Sequence, residues 1–199
     1  MALPLIVTAF ERAALSSPER IRAAARRLAA MHDEPAAVVG VLSAMGGTTD
    51  DLLALARRVS DDPDPRELDM LVTTGERIAC ALCAMALLDL GKHAVSLTGS
   101  QAGIVTDSTH GGGASIVDVR PDRVRAELAT GAVVLVAGFQ GVSTQAEVTT
   151  LDGGARASAI ALARSLGADR CEVVTDDPEG PADLLRPARV APLPLERSV

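Results

Sequence analysis

Ala132-Val133-Val134-Leu135-Val136-Ala137-Gly138 decides the fold of this chain. Seven small or branched apolar residues without a polar break describe a strand covered on both faces, the habit of a parallel sheet flanked by helices. Outward from it, the same composition recurs at Ala36-Ala37-Val38-Val39-Gly40-Val41-Leu42 and more briefly at 4–7, 94–97, 116–119 and 171–175. Helical patterns separate these runs. Ser17-Pro18-Glu19 supplies a cap, a first-turn proline and an acid before a helix through residue 30. Further helices are expected over 52–59, 67–71, 74–90 with Gly91 as its stop, 121–130 before Gly131, and 155–166 before Gly167. Strands alternating with helices predict an α/β fold, a three-layer α/β/α sandwich around a mainly parallel sheet.

Composition narrows the function. Of 199 residues 48% are hydrophobic but only 1% aromatic, so the core is aliphatic and base-stacking platforms have no material. A net charge of −7 disfavours nucleic acid and anionic membranes as partners. No charged-then-apolar leader opens the sequence and no apolar run approaches a bilayer span, so no membrane partner is expected. The three cysteines, Cys80, Cys83 and Cys171, are expected as reduced thiols in a cytoplasm. Cys80 and Cys83 match C-x-x-C but sit in an apolar helical pattern without a second ligand pair, which favours buried small hydrophobes. No metal site and no cofactor are expected.

Four motifs carry a resemblance. They are Ser43-Ala44-Met45-Gly46-Gly47-Thr48-Thr49-Asp50, Thr74-Gly75-Glu76-Arg77, the T-G-S-Q-A-G-I-V-T-D run over 98–107, and the V-A-G-F-Q-G run over 136–141. In this order and spacing the chain resembles the aspartate kinases of the amino acid kinase superfamily up to about Thr175. The resemblance implies the fold of that catalytic domain over 1–177, a proline-rich tail over 178–199, and a homodimer. The tail, with Pro178, Pro181, Pro187, Pro192 and Pro194, is expected to wrap the surface or be disordered. The resemblance also implies that Ser43 and Thr49 line an aspartate site and that Glu76 receives the substrate's ammonium. Thr74, Arg77, Ser100 and Gln101 fall in the same motifs and are candidate substrate contacts. A carboxylate at a helix start, among hydroxyls and free N–H groups, suits a zwitterion. Standing alone, Thr74-Gly75-Glu76 would be an ordinary helix cap; beside the other motifs a pocket is favoured.

The departures from the family are as specific. Where its members read K-F-G-G-T-S, with a lysine and two glycines against ATP phosphates, this chain reads Ala9-Phe10-Glu11-Arg12-Ala13-Ala14. A glutamate there repels phosphate. The family's T-T-L-G-R-G-G-S-D becomes Thr149-Thr150-Leu151-Asp152-Gly153-Gly154-Ala155-Arg156, one residue shorter, with Arg156 where an acid stood. Arg156 is a new carboxylate clamp or an ordinary solvated arginine. Beyond Thr175 the sequence soon reaches Val199, so no regulatory domain is expected and the adenine pocket is incomplete at best.

His110, in the loop Asp107-Ser108-Thr109-His110-Gly111-Gly112-Gly113, is a second candidate for proton transfer after Glu76. His32 and His93 are expected to face solvent. Three functions remain open: a repurposed enzyme of specialised biosynthesis that binds an aspartate-like amino acid or related carboxylate without ATP, a non-catalytic subunit for a partner enzyme, or an active aspartate kinase. Ser43, Thr49 and Glu76 together argue against a pure scaffold, and the absent lysine argues against the kinase, which favours the first.

Overall fold

A computed structural model describes residues 3–185, and its core is a six-stranded sheet between two helical layers. The strands are β1 (Leu5–Phe10), β2 (Ala37–Leu42), β3 (Ala94–Leu97), β6 (Val133–Ala137), β9 (Arg170–Val174) and β10 (Asp183–Leu184), in the order β10-β9-β1-β2-β6-β3. All pairings are parallel except that of β10, which runs antiparallel to β9. Central β1 sets Val7 opposite both Val39 and Cys171.

Strand alternation sorts the core into two clusters. Phe10, Val38, Leu42, Val133, Leu135 and Ala137 face α1 (Pro18–Asp33) and α4 (Thr74–Asp89). Val7, Ala9, Val39, Val41, Val134 and Val136 face α6 (Gly154–Leu166), with Val124 of α5 (Asp122–Ala129) on the same side. Both faces of the long apolar runs are therefore used, as the sequence requires. The predicted three-layer architecture is what is found.

A second, four-stranded sheet has the order β5-β4-β7-β8, from β4 (Ile104–Thr106), β5 (Ile116–Val119), β7 (Gln140–Ser143) and β8 (Val148–Thr150). Of these only β5 was expected. The other three are short and rich in Thr, Gln and Ser, so they show no apolar period for a sequence pattern to register.

Two more helices bridge the layers toward the site. The helix α2 (Thr48–Val59) has no buried residue along its 12 positions. The helix α3 (Pro65–Val72) is capped by the Asp64 side chain, which accepts from the N–H groups of Arg66 and Glu67. Only Thr73, itself in helical conformation, separates α3 from α4. This corrects the expectation about apolar length: the merged run Pro65–Asp89 is long and apolar enough to cross a bilayer, yet half of its most apolar stretch is buried inside the fold. It is a core element.

The start of the supposed tail is also ordered. Arg27 of α1 pairs with buried Glu172 at 3.1 Å and donates to the Gly180 carbonyl at 2.6 Å, and the chain then adds β10 to the sheet edge. Pro187, Pro192 and Pro194 lie outside the described residues.

Candidate functional site

The carboxyl ends of β1 and β2 open onto a cavity of about 320 Å³, where ligands collect in open α/β sheets. Its lining joins Ser43, Thr49 and Glu76 to Glu11, Arg12, Phe139, Gly153, Gly154, Ala155 and Arg156. Four of the residues expected from sequence, Ser43, Thr49, Glu76 and Arg156, thus meet in one place.

Close packing sets the Glu76 wall. A methyl group on Gly75 would come within 2.9 Å of the Ala44 Cβ, so the first turn of α4 rests directly on the turn that follows β2. The Gln140 side chain donates to the Thr73 carbonyl at 2.9 Å and holds the junction from which α4 departs. Glu76 is only 2% exposed, and its Oε2 has no hydrogen-bond partner. Burial pushes its pKa up from 4.5 to about 7; its own N–H, the N–H of Ala44 and the charges of Arg12 and Arg77 hold it back from rising further. Near neutrality this group can both give and take a proton.

The opposite wall is made of exposed charge. Both Nε and Nη2 of Arg156 donate to one oxygen of Glu11, at 3.2 and 2.7 Å. Arg12 reaches Asp50 at 3.4 Å. Helix α6 starts behind Arg156 with Gly153 as its N-cap, without a side-chain cap and without an acid in its first turn. Ala9 is fully buried in the α6-side core.

The remaining candidates lie apart from this lining. The Thr74 hydroxyl donates back to the Leu71 carbonyl at 2.7 Å, and Arg77 reaches the Thr73 hydroxyl at 3.4 Å while its Nε is buried without a partner. Ser100 and Gln101 are exposed and spend their hydrogen bonds on Thr98 in their own turn. His110 is bonded through Nδ1 to Asp69 at 2.8 Å. Asp69, 1% exposed, also accepts from the Gly111 N–H and the Thr150 hydroxyl, tying α3, the Gly-rich loop and β8 together. His110 is therefore an anchor of that loop rather than a member of the cavity lining. His32 departs from expectation as well, being half-buried with Nε2 within 3.1 Å of the Gly131 carbonyl oxygen.

Sequence reasoning missed Asp69 and Phe139. An acid flanked in sequence by Leu68 and Met70, inside a helical stretch ending Leu71-Val72, was the available signal for Asp69. Phe139 takes a positive φ of 61°, rare for an aromatic residue, at the sharp turn between β6 and β7. The cysteines are free and buried, and burial pushes the Cys80 thiol well up, Cys83 up to about 12 and Cys171 up to about 11. Among the described residues no three His, Cys, Asp or Glu side chains gather as a metal cluster.

The mainly parallel sheet carries at its carboxyl edge a cavity whose charged lining is two acids and two arginines, Glu11, Glu76, Arg12 and Arg156. The chain belongs to the Amino acid kinase family, whose model matches residues 4–179. It is 53% identical over 176 residues to the aspartokinase of Mycobacterium tuberculosis and 46% identical over 175 residues to aspartokinase 2 of Bacillus subtilis. These matches take in 87% of this chain but only 42% and 43% of those relatives' lengths. Among solved structures it is similar to aspartate kinase from Synechocystis, with a TM-score of 0.72 and 41% identity over 85% of this chain and 28% of that one. E. coli aspartokinase III in complex with aspartate and ADP superposes with a TM-score of 0.74 at 20% identity, over 86% of this chain and 49% of that one, a likeness of fold.

Proposed function

We propose that this chain binds a small amino acid or related carboxylate over Glu76 without a nucleotide beside it, and that the cavity serves a non-kinase reaction of biosynthesis. The observation that carries the reading is the buried, unpartnered Glu76 oxygen in a cavity shared with Ser43 and Thr49. A buried carboxylate oxygen without a partner costs stability. A ligand ammonium would offset that cost. The other half of the reading rests on Ala9, which has no charge to offer a phosphate, and on Glu11, which repels one. Phosphoryl transfer depends on positioning and on neutralising charge, and both are weakened here. Of the lining residues, Glu76 is the acid/base candidate; Ser43 and Thr49 would orient the ligand through their hydroxyls.

Titration calorimetry with magnesium–ATP and with small L-amino acids tests this, together with the Glu76→Ala variant. Amino-acid binding that disappears in the variant, with no heat from the nucleotide, is the expected result. Nucleotide binding with transfer of its terminal phosphoryl group to an amino-acid carboxylate would instead establish an active kinase.

A second reading, a subunit that pairs with another chain, draws on α4. Ile78, Leu82 and Met85 are 49%, 39% and 59% exposed at helical spacing, an apolar stripe along the outer face of α4 that a partner chain would cover. Light scattering on the purified chain distinguishes a dimer from a monomer.

A further inference from the structure

We propose that the cavity selects an amino acid with an uncharged side chain and discriminates against acidic ones, because its cations are already matched by acids of the protein itself. This rests on the reading that the cavity takes an amino acid over Glu76.

The case is one of charge accounting. Two guanidinium groups line the cavity. Arg156 is held by two donor atoms to a single Glu11 oxygen, and Arg12 lies against Asp50. Glu76, the remaining charged group of the lining, is buried with an oxygen that nothing satisfies. What that oxygen lacks is a hydrogen-bond donor, since the charges of Arg12 and Arg77 reach Glu76 without bonding it. An α-ammonium supplies one.

The α-carboxylate of the same ligand has a separate place to go. The first turn of α6 leaves backbone N–H groups without a side-chain cap, and Gly153 and Gly154 line the cavity there. Free N–H groups and the helix dipole favour an anion at that point. The ammonium and the α-carboxylate together then use the buried acid and the uncapped turn. A further acid on the side chain would have to displace Glu11 from Arg156 or stand beside it, and like charges in one small cavity repel. Glu11 thus acts as a built-in rival to an acidic side chain. Its pair with Arg156 is partly exposed, at 37% and 45% for the two side chains, so removing one partner should leave the fold intact.

L-Asparagine and L-aspartate have nearly the same shape and differ in side-chain charge, which makes them the probes. Calorimetry on the full chain should give L-asparagine at least tenfold the affinity of L-aspartate. In Glu11→Gln the freed Arg156 should raise L-aspartate affinity at least tenfold, so that the preference for L-asparagine is lost. In the double variant Glu11→Gln with Arg156→Gln the gain for L-aspartate should vanish. Thermal melts check that each variant folds. Glu76-dependent binding that favours L-aspartate over L-asparagine in the unaltered chain overturns the inference and leaves the amino-acid pocket standing. An unchanged preference in Glu11→Gln also overturns it. Binding of neither amino acid to any of the proteins removes both readings together.

Discussion

The two walls of the cavity are built on different principles. The α4 wall is deep and fixed by contact: Gly75 lies on Ala44, Gln140 grips Thr73, and Glu76 is buried with one oxygen unsatisfied. The wall formed by the end of β1 and the start of α6 is shallow and held by charge, through Glu11, Arg12, Asp50 and Arg156 in partly exposed pairs. Packing fixes the position of a group to fractions of an ångström and makes its replacement expensive. Exposed ion pairs hold loosely and can be exchanged at little cost to folding. That contrast makes the shallow wall the half of the cavity more open to replacement.

Breaking the support of the deep wall should have the largest effect. Asp69→Ala strips the Gly111 N–H, the Thr150 hydroxyl and His110 of their shared buried acceptor. Urea unfolding should show a loss of about 4 kcal/mol. If the loss is under about 1 kcal/mol, α3 is not held through this acid.

Removing the buried charge itself should act in the other direction. Because the folded pKa of Glu76 is raised from 4.5 to about 7, the native state keeps a proton that the unfolded chain has released across that window. Its contribution to stability is therefore full below 4.5, falls as pH rises, and levels off above about 7. Glu76→Gln should leave stability unchanged at pH 4 and raise it by about 3 kcal/mol at pH 8, read from paired denaturation curves. The same substitution should abolish amino-acid binding.

The pH dependence of binding sharpens the comparison further. A ligand ammonium requires the carboxylate form of Glu76, so affinity should rise about tenfold between pH 6 and pH 8 in titration calorimetry. A flat profile would place the ammonium elsewhere. The shallow wall should respond least: Asp50→Ala, which removes an exposed partner of Arg12, should change stability by no more than about 0.5 kcal/mol.

The sequence displayed the deep architecture well, and for a physical reason. Strands such as β2 and β6 are covered on both faces, and continuous burial leaves a continuous apolar record. Apart from β5 the second sheet left none, because β4 and β8 are three residues each and their Thr side chains bond to one another, as Thr106 does to Thr149 at 2.7 Å. The site followed the same division. Ser43, Thr49 and Glu76 were legible through their motifs, whereas Ser100 and Gln101 belong to an equally distinctive motif whose hydrogen bonds stay within its own turn. A motif records that residues act together, but not whether they act on a ligand or on the backbone. The pairing of Glu11 with Arg156 joins positions 145 apart in sequence, beyond the reach of any local pattern.

At the end of β6, a side chain on Gly138 would lie 2.6 Å from the Ala155 Cβ and 2.7 Å from its Cα. Strand end and helix start are thereby in backbone contact, and the floor beneath Arg156 has no slack. Moving α6 away from that seam would open a void between strand and helix. Room for a bulkier guest comes at lower cost from α2, whose Thr49 borders the cavity and whose 12 residues include none buried in the interior.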